Sequence, residues 1–394
     1  MPSRTFALCL AAVVLIGPLS LHLFLPAIPA VKAEFGLSEG MAQLTFTGGI
    51  FAMAVSTLVY GTLSDRYGRR PVLLSGLALF LAGTAIVAFA GSLSMLLFGR
   101  LVQAVGAGCG TTLVRTIARD AYGQAQLAKA IAYLTMFYTM GPMIAPLIGG
   151  VLIDAYGWRE AFMAAFVFGA VITFGAWAII TETHSPKPSR FDAVAVLRSY
   201  VQPFGNARFA AFVLQTGFSS GVFLTLAAAS AVIMKETLGR PSTEYGLYFL
   251  VFPIGFLLGT LVSSRLVNRV AGETLVLAGS VMAFVTVLVQ SLFLLTGFVN
   301  PLVLFAPGLF LTVAQGIALP SAQSGAMALV PSSVGTAAGL GVFTQFFIGA
   351  TIAQIYGMIA GGSVLALVGV LLVTSAIVLG LGLVPYRLAA RNQR

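Results

Sequence analysis

Apolar runs of about twenty residues, the length that crosses the hydrocarbon of a bilayer, recur along the whole chain and are separated by charges, glycines or prolines. They fall at roughly 5–28, 41–63, 71–91, 94–119, 129–153 and 159–181, and again at roughly 209–233, 244–267, 273–296, 302–328, 334–359 and 363–385. Between the two sets lies a polar interval, 182–208, that contains Pro186, Pro188 and Pro203. The pattern predicts an all-α membrane protein: twelve transmembrane helices in two pseudo-symmetric six-helix bundles, 1–181 and 209–394, joined by the linker 182–208. Gly61-Thr62-Leu63 near the end of the second run is echoed by Gly259-Thr260-Leu261 in the eighth, with arginines after each. Matching elements in two halves are what a transporter built from repeats leaves behind.

The most charged short stretch is Gly61-Thr-Leu-Ser-Asp65-Arg66-Tyr-Gly68-Arg69-Arg70, set between two apolar runs. A charge at the bilayer centre costs about 2.5–3.5 kcal/mol, so this stretch is a loop in water. Gly61 and Gly68 are expected to permit close approach and a tight turn, and Pro71 to open the next helix. Counted on alternate sides of the twelve helices, 16 of the 21 Lys and Arg fall on the side of this loop, four on the other, and Arg100 stays inside. That bias is expected to put both termini and the linker of a multi-pass protein in the cytoplasm. The first run is too long for the core of a signal peptide.

Composition narrows the function. Hydrophobic residues make up 59% of the chain and charged ones 8%, with a mean hydropathy of +1.01, which excludes a water-soluble domain. The net charge of +10 is dispersed in short clusters, so no nucleic acid is expected. Cys9 and Cys109 lie in apolar runs and read as small buried hydrophobes, with neither a disulfide nor a metal site. His22 and His184 lack the clustered acids a membrane-embedded enzyme would need, and no phosphate-binding Gly-rich Lys-Ser/Thr loop is present. No cofactor is expected. Lipid is the partner that composition implies, and the chain is expected to act as a monomer.

The loop Gly61-x-Leu63-x-Asp65-Arg66-x-Gly68-Arg69-Arg70 resembles the signature of the major facilitator superfamily. Arg100-x-x-Gln103-Ala104-x-Gly106 resembles its R-x-x-Q-G-x-G pattern, with Ala104 in place of Gly. Gly141-Pro142-x-x-x-Pro146-x-x-Gly149-Gly150 resembles the fifth-helix motif of its drug:proton antiporters, and the first helix, through Leu25-Pro26 and Pro29, is similar to the D-x-Y-L-P-x-x-P start of Bcr/CflA-type multidrug exporters. The resemblance covers the whole chain. It implies efflux of small apolar or weakly charged compounds by alternating access, in exchange for protons. It also implies a cytoplasmic gate of Gly61, Asp65, Arg66, Gly68, Arg69 and Arg70 with Asp120 at the inner end of helix four, and a helix-five motif that restrains leak. A metabolite or amino-acid carrier of the same fold, without obligatory proton coupling, is the alternative.

One departure matters. Where those exporters carry an acid on helix one, this chain has His22, and no Asp or Glu is expected in the middle of any helix. With helix one ending near 28 and helix four starting near 94, His22 and Arg100 would each lie six residues from the outer end, about 9 Å deep. An intramembrane ionisable group is a functional candidate; the opposing readings are a satisfied core histidine and a snorkelling arginine. His22, Arg100 and Gln103 are the candidates for proton coupling. Gln215, Gln315, Ser321, Gln323 and Gln345 are polar at cavity depth, though glutamines also simply join helices. Phe24, Tyr133, Tyr138, Phe218 and Phe223 are candidates for an aromatic wall around an apolar ligand.

Overall fold

The structure, a computed structural model, describes residues 3–183, 198, 200–330, 334–360 and 363–392. Most of the expected linker, with His184, lies outside the described residues. Among the described residues twelve helices are long and apolar enough to cross a membrane: α1 Arg4–Phe35, α2 Glu39–Tyr67, α3 Arg69–Ala88, α4 Leu93–Tyr122, α5 Lys129–Ala155, α6 Trp158–Ile179, α7 Ala207–Thr237, α8 Ser242–Leu266, α9 Gly272–Leu295, α10 Pro301–Ala328, α11 Gly335–Ile359 and α12 Val364–Ala390.

Three differences from the hydropathy pattern have physical causes. Helix α1 continues to Phe35 instead of ending near 28, because Lys32 and Glu34 can extend a helix beyond the hydrocarbon without cost. His22 is thirteen residues from the end of α1 and Arg100 seven from the start of α4, but because α1 runs on past the hydrocarbon those helix ends do not measure depth, and Arg100 meets α1 at Ser20 and Phe24, on either side of His22. Helix α1 is also broken, into Arg4–Val14, Ile16–His22, a 3-10 turn Leu25–Ala27 and Ile28–Phe35. Pro18, Pro26 and Pro29 have no N–H to give the carbonyls of Val14, His22 and Leu25, which loosens the helix at those turns. Finally, α4 and α5 form one unbroken helical trace, Leu93–Ala155. A Cβ on Gly110 would press on Val13 and one on Gly141 on Pro18, so the trace doubles back between the two spans to lay both against α1.

Contacts divide the chain into two compact units, Met1–Leu37 with Leu44–Arg190 and Arg240–Leu247, and Ser38–Gln43 with Phe191–Gly239 and Tyr248–Arg394. In the first, α3 packs on α4 so closely that a Cβ at Gly83 or Gly106 would strike the backbone of Gln103 or Phe80. Small residues let helix backbones meet in lipid, where dispersion and not water exclusion holds them. The core of this unit joins Phe6, Leu10, Val14, Leu73, Phe80 and Leu113. In the second unit Gly279 approaches the carbonyl of Ala314, and Gly316 the backbone of α8 at Gly259. Its core gathers Phe209, Phe212, Val213, Val276, Ala322 and Leu340.

Candidate functional site

Arg100, on the third turn of α4, is 1% exposed and entirely inside the first unit. Its Nε–H donates to the carbonyl of Thr45 at 3.3 Å, and Nη1 donates to the carbonyl of Ser20 at 3.0 Å and to Gln103 Oε1 at 2.6 Å. Gln103 Nε2 donates onward to Thr84 Oγ1 at 3.0 Å, and the Thr84 hydroxyl donates to the Phe80 carbonyl at 2.6 Å. The guanidinium lies 4.3 Å over the ring centroid of Phe24 and 5.9 Å from that of Phe162. A desolvated cation–π contact of this kind contributes about 2 kcal/mol.

Among the described residues no carboxylate pairs with Arg100, and its Nη2 has no hydrogen-bond partner. The Oγ of Ser20, the residue whose carbonyl Arg100 holds, likewise has none. A Cβ at Gly49 would stand 3.2 Å from Nη2, so the glycine leaves that face of the guanidinium uncrowded. The site thus holds a buried positive charge on neutral acceptors, with two N–H groups left for an incoming acceptor. A burial of this kind is expensive unless compensated.

His22 is buried, at the C-terminal end of the Ile16–His22 helix, and its Nδ1 is 2.9 Å from the Pro18 carbonyl. A carbonyl can only accept, so Nδ1 carries the hydrogen and Nε2 is the nitrogen able to take a second proton. Arg100 reaches the same broken stretch of α1 through Ser20 and Phe24. The helix-five glycines converge there too: a Cβ on Gly141 would meet Pro18, and one on Gly149 would lie 3.1 Å from Leu23. Pro142 and Pro146 sit inside the helix. Gly150 backs onto Ser242, and Asp154 accepts the N–H groups of Ser242 and Thr243 at 3.0 and 2.7 Å, capping the start of α8.

At the other end of α4 the charged stretch forms a second cluster; it is not the expected loop, because residues 61–67 are the last turns of α2 and Arg69 and Arg70 open α3, with Gly68 alone between them. Arg69 Nε donates to Asp120 Oδ2 at 3.0 Å, while Nη1 lies 2.5 Å from both Asp65 Oδ1 and Ser64 Oγ. Arg70 donates to the carbonyls of Ile180 and Trp177. Gly68 takes φ +96° and caps α3, and a Cβ there would stand 2.5 Å from Glu182 Oε2. Glu182 in turn accepts the N–H groups of Arg69 and Arg70 at 2.9 and 3.1 Å, a carboxylate on a helix N-terminus. Gly61 makes no close approach, with nothing within 4 Å of a built Cβ, and Pro71 is the third residue of α3 instead of its first. The loop's glycine requirement therefore rests on Gly68.

The remaining candidates divide between the units. Phe24 is fully buried beneath Arg100. Tyr133 packs on Phe137 and, with Tyr138, against the core of the first unit. In the second unit Phe223 meets Phe249 and Phe252 edge-on, and Phe218, Gln315 and Gln323 are half-buried. Ser321 is buried there. Gln215 joins α7 to α9 through Ser280 at 3.1 Å, and Gln345 Nε2 has no partner among the described residues. The sequence reading missed Glu182, Thr84 and Phe162. It also missed Glu34, which Arg159 holds with both nitrogens and Trp158 with its indole N–H.

The sequence model of the Major Facilitator Superfamily matches residues 10–354. Multidrug resistance protein D of Escherichia coli (strain K12) is 30% identical over 334 residues, 84% of this chain and 83% of that one. Multidrug resistance protein MdtL of Escherichia coli O9:H4 (strain HS) is 29% identical over 240 residues, 61% of each chain. A solved bacterial homolog of the human lysosomal transporter Spinster, inward-facing and unoccupied, superposes with a TM-score of 0.75 at 17% identity, over 99% of this chain and 96% of that one. A D-xylose-proton symporter superposes with a TM-score of 0.75 at 14% identity, over 95% and 97%. At these identities the two structures speak for the fold alone.

Proposed function

The chain belongs to the Major Facilitator Superfamily, whose members are transporters and not enzymes, and from that premise we propose that it exports small apolar or weakly charged compounds, drugs among them, in exchange for protons. The names of two relatives, both multidrug resistance proteins, support efflux. The observation that carries the substrate preference is Arg100: a buried guanidinium with two unused N–H groups and, among the described residues, no carboxylate repels an organic cation and receives a neutral or anionic acceptor. His22 is the proposed proton site, since its Nε2 can load and unload while Nδ1 stays on Pro18. In this reading the Asp65–Arg69–Asp120 cluster is the cytoplasmic gate, both termini are cytoplasmic, and the chain works in a bacterial inner membrane by alternating access.

The test is transport by the reconstituted protein with and without an imposed pH gradient, together with a drug-susceptibility panel in an efflux-deficient host. His22→Asn is expected to abolish the dependence on the gradient while substrate binding persists. Unchanged dependence removes His22 from the coupling. A carrier of metabolites or amino acids without proton coupling is the second reading, and the absence of a counter-charge at Arg100 favours it, because a substrate carboxylate would supply one. Transport indifferent to the gradient, with saturation by carboxylates, would select it.

A further inference from the structure

A groove of about 890 Å³ runs along α2, α3 and α4 within the first unit. On α2 it follows one face from Gly48 to Tyr67, a length of about 28 Å at about 1.5 Å per residue. Pro71 and Leu79 on α3 and Leu101 on α4 complete its wall. A helix about 10 Å across lying along that length would occupy about 2,200 Å³, more than twice the groove, so neither a second copy nor a partner helix fits it. One or two extended hydrocarbon chains do. The lining is mostly apolar: its two serines are satisfied within their own helices, Ser56 by the Met53 carbonyl at 2.9 Å and Ser75 by the Val72 carbonyl at 2.9 Å, and the Tyr60 hydroxyl is the one buried polar group there without a hydrogen-bond partner among the described residues. Val55, Val59 and Leu79 remain 52%, 46% and 42% exposed, so the groove opens sideways.

Its mouth is at the charged loop. Arg66 lies 5.2 Å over the ring of Tyr67, which lines the mouth, and has no carboxylate partner among the described residues. Its neighbours Arg69 and Arg70 are committed to Asp65, Asp120 and backbone carbonyls. A narrow apolar channel that ends beside an uncommitted arginine is complementary to a molecule with one long alkyl chain and an anionic head.

We propose that this groove binds an anionic phospholipid from the leaflet on the loop side, its phosphate at Arg66 and an acyl chain along α2. The experiment is native mass spectrometry of the full chain released from nanodiscs of phosphatidylglycerol and phosphatidylcholine in equal amounts with identical acyl chains. The unaltered protein is expected to retain one phosphatidylglycerol in preference to phosphatidylcholine. Arg66→Gln keeps a lipid and loses the preference by about fivefold, the effect of one basic residue at an anionic head. Val59→Trp, which puts an indole in the groove from an already exposed position, loses the lipid whatever its head. Val55→Trp, one turn away, repeats that arm should the first variant not fold. Equal retention of both lipids by the unaltered protein, an unchanged lipid count in both tryptophan variants, or displacement of the lipid by the apolar dye Nile red overturns the proposal, the last in favour of transported compounds.

Discussion

Arg69 and Arg100 stand at opposite ends of one tightly packed helix pair, and each holds several partners, yet they are neutralised in different ways. Arg69 faces two carboxylates and a hydroxyl at the edge of the membrane. Arg100 faces carbonyls, one amide and an aromatic ring inside it. The first charge is complete and holds helices together. The second is incomplete and has use for something that arrives. Counting hydrogen bonds alone would rank the two alike; counting countercharge separates a fastening from a receptor.

That contrast can be broken by substitution, starting where the effect should be greatest. Arg100→Lys cannot keep the forked contacts to Thr45, Ser20 and Gln103, and losing one charged hydrogen bond, worth about 1.5–3 kcal/mol, should lower initial transport rates in vesicles by about tenfold or more at equal expression. Gln103→Leu should cost about 2 kcal/mol of stability in denaturant titration of the solubilised protein, because it strands a buried donor on Arg100 and another group on Thr84. Asp120→Asn, at a carboxylate 22% exposed, should cost about 1 kcal/mol, and Asp65→Asn, at one 63% exposed, less than about 1 kcal/mol. The Asp65 effect should fade in high salt, while in the proposed gate the same variant slows transport without loss of insertion. Glu182→Gln, which removes charge from the N-terminus of α3, should be smallest, about 0.5 kcal/mol. If Asp120→Asn proved more damaging to substrate binding than Arg100→Lys, the division between fastening and receptor would be reversed.

The helix count was legible because hydrocarbon tolerates few alternatives to a run of about twenty apolar residues. The end of α1 was not, because hydropathy reports where the membrane stops and the helix runs on through Lys32 and Glu34. Arg100 itself announced its position as an arginine inside an apolar run, but two of its three acceptors are backbone carbonyls, Ser20 and Thr45, which every residue possesses. Only Gln103, one turn away on the same helix, could be read as a partner from spacing. Glu182 was hidden differently: it caps a helix that begins 113 residues earlier, a distance that no local pattern spans.

The composition of the Arg100 site also bears on how the chain is made. A segment carrying an arginine in its third turn enters a bilayer at a penalty of about 2.5–3.5 kcal/mol if it enters alone. Ser20 and Phe24 belong to α1, Thr45 to α2 and Thr84 to α3, so most of the groups that receive Arg100 or its Gln103 leave the ribosome before α4 does. Synthesis in this order lets α4 enter a membrane that already contains its acceptors. A rearranged gene that placed α4 ahead of the first three helices would encode the same contacts and forfeit that assistance.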